Sequence, residues 1–219
     1  KYKKSRYALS LNSCTAGLHI SLISLGLKEG DEVITTSLTF CSTINSILLA
    51  GGKPVLVDIR PDTLNLNEEL IEKSVTRKTK FILPVHFAGM PCEMAKILKI
   101  ARKYNLRVIE DCAHAIESKY NNINIGTFGD TGCFSFYANK NITTGEGGML
   151  ITNNKKIYDA CKTLRLHGMS KDAWKRFGDK KTQKIKYNYY DVKKIGYKYN
   201  MTDLMASMGI VQLKKINYM

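Results

Sequence analysis

Short apolar runs alternate with helix-like segments along the first half of the chain, and this alternation most limits what the chain can fold into. Two runs, Val55-Leu56-Val57 and Val108-Ile109, carry no polar residue, which is typical of strands covered on both faces. Repeated strand–helix–strand units predict an α/β fold with a mainly parallel sheet and helices on both faces. The predicted strands are 7–12, 32–36, 54–59, 81–87, 107–110, 126–130, 132–137 and 148–152, and the predicted helices are 15–27, 39–50, 68–75, 93–104 and 155–167.

The last third of the chain has a different character. Residues 168–195 are rich in lysine and predict a long basic loop, whose length indicates either a functional loop or a crossing arm. Met201-Thr202-Asp203 is a typical helix start and predicts a final helix over 202–217. No linker divides the sequence, so we expect one domain over 1–219.

Composition excludes several classes of protein. With 219 residues and 44% hydrophobic residues the chain can bury a sizeable core, and no apolar run approaches the ~20 residues of a membrane span. The six cysteines form no Cys-x-x-Cys pair and have no histidine at ligand spacing. We therefore expect a cytoplasmic protein without a membrane partner, a disulfide framework or a metal site.

The net charge of +15 is concentrated near one end. Residues 151–219 hold 16 of the 34 basic side chains but only 5 of the 19 acidic ones. Such a field can attract nucleic acid or a polyanionic small molecule. A generally lysine-rich composition explains the same counts equally well.

Reactive residues follow three predicted strands, at the sheet edge where α/β proteins bind ligands. Residues 12–17, Asn-Ser-Cys-Thr-Ala-Gly, suit either a phosphate at a helix start or a simple helix cap. Asp111 follows a buried strand and needs a cationic partner, which could be a ligand or an ordinary ion pair. Lys140 lies between an aromatic strand and a glycine-rich turn, where an enclosed amine can condense with a carbonyl; a surface lysine is the simpler interpretation.

One ligand, pyridoxal phosphate (PLP), carries a phosphate, a cationic ring nitrogen and an aldehyde. The order of phosphate turn, carboxylate and lysine in the sequence is that of the aspartate-aminotransferase superfamily. In detail the chain resembles the DegT/DnrJ-type sugar aminotransferases, which are PLP enzymes of fold type I. The matching segments, in family order, are 13–16, 30–34, 39–40, 51–58, 84–86, 110–114, 134–140, 145–148 and 196–203.

The resemblance implies the large PLP-binding domain, with a mainly parallel seven-stranded sheet, and a role for each matching site residue. Lys140 would hold the cofactor covalently and act as acid and base, and Asp111 would keep the ring nitrogen protonated. The cofactor-binding residues implied are Thr15, Ala16 and Ser135 at the phosphate, Phe40 on the ring face, His114 at the ring hydroxyl, Asp111, Lys140, and Asn200. Asn200 is expected to reach the phosphate of a neighbouring subunit, which implies a homodimer with shared sites.

The chain departs from the family pattern in three respects. Cys14 stands where many relatives have glycine. Lys198 and Asn200 stand where others have asparagine and arginine, which leaves open which residue reaches across the dimer. Complete relatives are longer, so we expect a fragment without the N-terminal arm and the small C-terminal domain.

The implied activity is transamination of a nucleotide-linked keto sugar with glutamate as amino donor. Relatives that dehydrate sugars carry histidine where this chain has Lys140. Residues 167–174 resemble relatives that act on 4-keto sugars linked to UDP, in surface-polysaccharide or lipid A pathways. Two alternatives stay open: an inactive or sensory PLP-binding relative, and a nucleic-acid-binding module. That module would use the basic C-terminal third, with Trp174, Phe177, Tyr187, Tyr189, Tyr190 and Tyr197 between the lysines.

Overall fold

The strands and helices alternate along the chain as the sequence predicts. The computed structural model describes residues 2–169 and 191–218. Its strands are β1 (Tyr7–Leu11), β2 (Glu32–Thr36), β3 (Lys53–Val57), β4 (Thr79–Ile82), β5 (Arg107–Asp111), β6 (Lys119–Tyr120), β7 (Ile123–Asn124), β8 (Thr131–Ser135) and β9 (Gly148–Thr152). Its α-helices are α1 (Cys14–Ser24), α2 (Cys41–Leu49), α3 (Glu68–Ile71), α4 (Met94–Tyr104), α5 (Lys155–Leu164) and α6 (Asp203–Lys215).

Seven of these strands form one sheet in the order β1-β9-β8-β5-β4-β2-β3. The ladders β2–β3, β2–β4, β4–β5 and β5–β8 are parallel, whereas β9 runs antiparallel to both β1 and β8. Strand β9 reverses because residues 136–147 connect it to β8 without a crossover helix. The predicted mainly parallel seven-stranded sheet is confirmed.

Helices cover both faces of the sheet, and neighbouring residues on the strands point to opposite cores. Val33, Phe81 and Ile109 pack in one core with residues of α1, α2 and α5. Ile34, Ile82 and Val108 pack in the other with residues of α3 and α4 and with Ile216. The α/β architecture with helices on both faces therefore follows from continuous apolar strands, as predicted.

The prediction that Val55-Leu56-Val57 is covered on both faces is wrong for Leu56. Strand β3 is the edge of the sheet, and Leu56 is 56% exposed. Pro54 fits this position, because an edge strand leaves some backbone N–H groups without a ladder partner.

The predicted strand over 126–130 is also wrong. One side chain, that of Glu110, explains why this segment does not pair as a strand. The Glu110 carboxylate accepts hydrogen bonds from the backbone N–H groups of Gly126, Phe128 and Gly129 at 2.8, 2.8 and 2.7 Å. These donors are satisfied by a carboxylate rather than by a neighbouring strand. A short hairpin of β6 and β7, which the sequence pattern did not predict, precedes this segment.

The other differences concern where elements end. The predicted helix over 15–27 ends at Ser24, and the one over 155–167 ends at Leu164. The final helix begins at Asp203, after a Thr202 cap whose hydroxyl accepts the N–H of Met205, and Ile216–Tyr218 form a 3₁₀ turn. Most of the predicted basic loop 168–195 lies outside the described residues. Among the residues described, no helix is long and apolar enough to cross a membrane.

Replacing Glu110 by alanine tests how much this carboxylate stabilises the fold. The substitution leaves one buried and two partly buried N–H groups without their acceptor, so Glu110→Ala should lower the free energy of unfolding by about 3 kcal/mol. Urea denaturation measures the difference. Glu69→Ala is the control, because the Glu69 side chain is 69% exposed, and it should change the free energy by less than about 0.5 kcal/mol. Equal effects of the two substitutions would contradict the assignment.

Candidate active site

A cavity of about 730 Å³ opens at the carboxyl ends of the parallel strands. The chain reaches this edge after β1, β2, β4, β5 and β8, so residues far apart in sequence meet there. Six of the eight predicted site residues line the cavity: Thr15, Phe40, Asp111, His114, Ser135 and Lys140. The remaining two, Ala16 and Asn200, do not.

The turn between β1 and α1 forms one end of the cavity. The Ser13 hydroxyl caps the helix by accepting the Ala16 N–H at 3.1 Å, and the first turn of α1 contains no acidic residue. The first N–H groups of a helix have no acceptor within it, and the helix dipole adds positive potential there. A Cβ at Gly148 would overlap the backbone of Ser13, so glycine lets β9 support the turn closely. This end of the cavity suits an anion such as a phosphate.

Ala16 supports this turn without lining the cavity. Its side chain is buried in the core beside the sheet, and its N–H is already bonded to Ser13. A direct contact between Ala16 and a ligand stays a prediction.

Asp111, the last residue of β5, places a buried carboxylate in the cavity. Its side chain is held by neutral donors: Oδ1 accepts the Ala113 N–H at 3.1 Å, and Oδ2 accepts the Thr43 hydroxyl at 2.8 Å. Within residues 2–169 and 191–218 no ion pair includes Asp111. A buried carboxylate held in this way is prepared to face a cationic group of a ligand.

Cys14 also lies beside this carboxylate. Its sulfur is 3.8 Å from Asp111 Oδ1 and 3.4 Å from the carbonyl oxygen of Cys133. Burial, and then the charge of Asp111, raise the pKa of the Cys14 thiol well above its usual value. Cys14 is therefore a protonated, neutral neighbour of Asp111 at neutral pH.

Lys140 lies in a compact loop between β8 and β9. Its N–H donates to the Tyr137 carbonyl at 3.0 Å, and the Thr144 N–H returns to the Phe136 carbonyl at 2.9 Å. The side chain is half-buried and lines the cavity together with Asp111 and Thr15. An amine and a buried carboxylate are thus available to a single small ligand.

His114 and Phe40 complete the predicted set. Burial lowers the pKa of His114, and the positive charge of Lys140 lowers it further, so the imidazole is neutral at pH 7. It can donate or accept a hydrogen bond without adding a second positive charge. Phe40 is 76% exposed beside the cavity, where its ring can cover a planar ligand.

Asn200 lies outside the cavity lining. Its side-chain amide donates to the Met201 carbonyl at 3.4 Å, and its Oδ1 atom is buried without a partner among the described residues. A contact between Asn200 and a neighbouring subunit stays a prediction.

Sequence reasoning missed a buried group behind the site, formed by His86, Glu110 and Cys112, whose ligand atoms lie within 4.8 Å of one another. The His86 Nδ1 atom accepts the Cys92 N–H at 3.1 Å, so its Nε2–H donates to Glu110 at 3.2 Å. With the three N–H bonds described above, the polar atoms of Glu110 and His86 are satisfied. The group therefore serves as a structural support.

Comparison with known proteins identifies the chain. The profile of the DegT/DnrJ/EryC1/StrS aminotransferase family matches residues 1–219. Protein MJ1066 of Methanocaldococcus jannaschii is 57% identical over 218 residues, which are 100% of this chain and 55% of that protein. The spore coat polysaccharide biosynthesis protein SpsC of Bacillus subtilis is 46% identical over 215 residues, 98% of this chain and 54% of SpsC.

Solved structures agree. Helicobacter pylori PseC, an aminotransferase involved in the biosynthesis of pseudoaminic acid, superposes with a TM-score of 0.90 at 32% identity, over 99% of this chain and 55% of PseC. Bacillus subtilis NtdA, solved with bound PMP cofactor, gives a TM-score of 0.84 at 32% identity, over 99% of this chain and 48% of NtdA. The chain spans about half the length of these relatives.

The fold and its solved relatives define the class of protein, an α/β aminotransferase domain. The chain belongs to the DegT/DnrJ/EryC1/StrS aminotransferase family, as the resemblance in its sequence implied.

Proposed function

We propose that the protein containing this chain is a PLP-dependent aminotransferase that moves the amino group of glutamate to a nucleotide-linked keto sugar. The observation that carries the proposal is that Lys140, Asp111 and the turn at Thr15 line the same cavity. The proposed sugar is a UDP-linked 4-keto sugar of surface-polysaccharide or lipid A biosynthesis. The residues behind this choice, 167–174, lie mostly outside the described part of the chain.

Three features of the cavity fit PLP. The N-terminus of α1 offers backbone N–H groups and the positive end of the helix dipole for the phosphate, with Ser135 and Thr15 beside it in the lining. Asp111 is buried and has no cationic side chain within ion-pair distance among the described residues, so a pyridinium nitrogen supplies the missing charge. Phe40 offers an exposed ring face for stacking.

Each site residue has a separate role in the proposed reaction. When bound, PLP supplies an aldehyde carbon and an electron-accepting ring. Lys140 would hold that carbon through Nζ until an amino donor arrives. Once free, Nζ would act as the base that takes the proton from Cα of the donor and as the acid that gives it back. Asp111 would keep the ring nitrogen protonated, and neutral His114 would bond the ring hydroxyl. In the half-reaction with the keto sugar, Lys140 would move a proton in the opposite direction.

The site proposed here would be shared between two copies of the protein. The buried side-chain oxygen of Asn200 has no partner among the residues described, and we propose that this side chain, or that of Lys198, contacts the phosphate bound by a second subunit. A cytoplasmic location is proposed for the same protein, in keeping with nucleotide-sugar substrates.

The first prediction concerns Lys140. In the protein containing this chain, Lys140→Ala should abolish covalent attachment of PLP and lower turnover by about a thousandfold or more, because the anchor and the proton carrier are lost together. Borohydride reduction followed by peptide mass spectrometry locates the attachment. Exposed Lys28 provides the control variant Lys28→Ala, which should keep the modified peptide. PLP still attached covalently in Lys140→Ala would refute the assignment.

The second prediction concerns Asp111. Asp111→Asn keeps the size of the side chain and an oxygen that can accept from Thr43, but it removes the negative charge opposite the ring nitrogen. PLP should still bind, whereas turnover should fall roughly a hundredfold, a loss typical of removing one electrostatic contact to the reacting group. Stopped-flow measurement of the half-reaction with glutamate tests this. Unchanged rates would remove Asp111 from the mechanism.

The third prediction concerns the substrate. The protein should convert a UDP-linked 4-keto sugar and glutamate into an amino sugar, and mass spectrometry detects the exchange of oxygen for an amine. A panel of TDP-linked and 3-keto sugars tests the carrier and the position, with the Lys140→Ala protein as the blank. Bound PLP without product from any sugar would favour the inactive relative instead.

A further inference from the structure

Thr43 lies behind the site and is not among the site residues that the sequence predicted. It is in the first turn of α2 and is fully buried. Its Oγ1 atom is 2.8 Å from Asp111 Oδ2 and 2.7 Å from Thr39 Oγ1. Both distances are typical of short hydroxyl hydrogen bonds.

The directions of these two bonds follow from the number of protons. An ionised carboxylate only accepts, and a hydroxyl has a single proton to donate. Thr43 therefore gives its proton to Asp111, and Thr39 must donate to the Thr43 oxygen. The result is a chain of two hydroxyls that ends on the carboxylate, with each bond polarising the next.

Packing of α2 does not by itself require a hydroxyl at position 43. A buried hydroxyl is costly unless it is hydrogen-bonded, and valine would fill the same volume without that cost. The neighbouring buried hydroxyl on α2, that of Ser46, donates to a backbone group instead, the Thr43 carbonyl at 2.9 Å. Thr43 is thus the residue that joins α2 to the functional carboxylate.

The same chain of hydroxyls reaches the front of the cavity. Thr39 lines the cavity and directly precedes Phe40, the exposed ring beside it. A displacement of the Phe40 turn would move Thr39 and loosen its bond to Thr43. The orientation of Asp111 is in this way tied to the segment that would contact a planar ligand.

We infer that Thr43 is a positioning residue that holds the Asp111 carboxylate in one orientation toward the cofactor ring, with Thr39 as its support. The inference rests on the proposed function, since it gives Thr43 a role in PLP binding and transamination.

The test compares Thr43→Val, which removes only the hydroxyl, with Thr43→Ser, which keeps it. In the full protein, Thr43→Val should release PLP faster and turn over more slowly, each by about tenfold to a hundredfold, the range for losing a hydrogen bond to a charged group. The KM for glutamate should change much less.

Two further variants separate positioning from packing. Thr43→Ser should restore most of the affinity and rate, and Ser46→Ala should lower thermal stability without changing PLP release or turnover. Thr39→Val should change PLP release in the same direction as Thr43→Val but by less, and it provides the measurement if Thr43→Val does not fold.

The outcomes are distinguishable. If PLP binds the wild-type protein and the valine variants match it in PLP release and turnover, the inference is overturned while the proposed function stands. If Thr43→Ser is as impaired as Thr43→Val, the role is packing and the inference is again overturned. A wild-type protein that takes up no PLP overturns both.

Discussion

The site depends on a carboxylate that the fold keeps out of water at the end of a central strand. Removing a charge from water costs several kcal/mol, and the cost is recovered only through well-placed donors and a cationic partner. Asp111 has the donors, a backbone N–H and the Thr43 hydroxyl. No ion pair of the described residues includes Asp111. In the proposed function the ring nitrogen of PLP would supply the missing charge, which would connect cofactor binding to fold stability at this residue.

Glu110 and Asp111 are adjacent acidic residues at the end of β5, and their side chains point in different directions. Successive side chains on a strand point to opposite faces of the sheet. Glu110 is turned toward the loop at 126–129, which it holds through three N–H groups, whereas Asp111 is turned toward the cavity. Glu110 therefore holds the end of β5 in place, and this fixes the position of the Asp111 side chain beside the cavity.

Much of this arrangement could be predicted from the sequence, because apolar periodicity is a local signal. It located the strands of the main sheet and the helices on both faces, and the order of turn, acid and lysine pointed to one ligand. The periodicity gave a wrong prediction at 126–130, where backbone N–H groups bond the Glu110 side chain instead of a neighbouring strand. It could not reveal the contact of Thr43 with Asp111 either, since 68 positions separate them and a buried threonine in a helix looks like an ordinary core residue. The exposure of Leu56 depends on strand order, which periodicity does not contain.

The antiparallel direction of β9 limits how the length of the loop that carries Lys140 can change. Because residues 136–147 leave and re-enter the sheet at the same edge, the loop that carries Lys140 is closed at both ends by a fixed strand register. Adding or deleting one residue would displace the amine by as much as about 3.5 Å, a full residue of chain. An insertion or deletion in this loop would therefore move the amine relative to Asp111, whereas a substitution would leave the length of the loop unchanged.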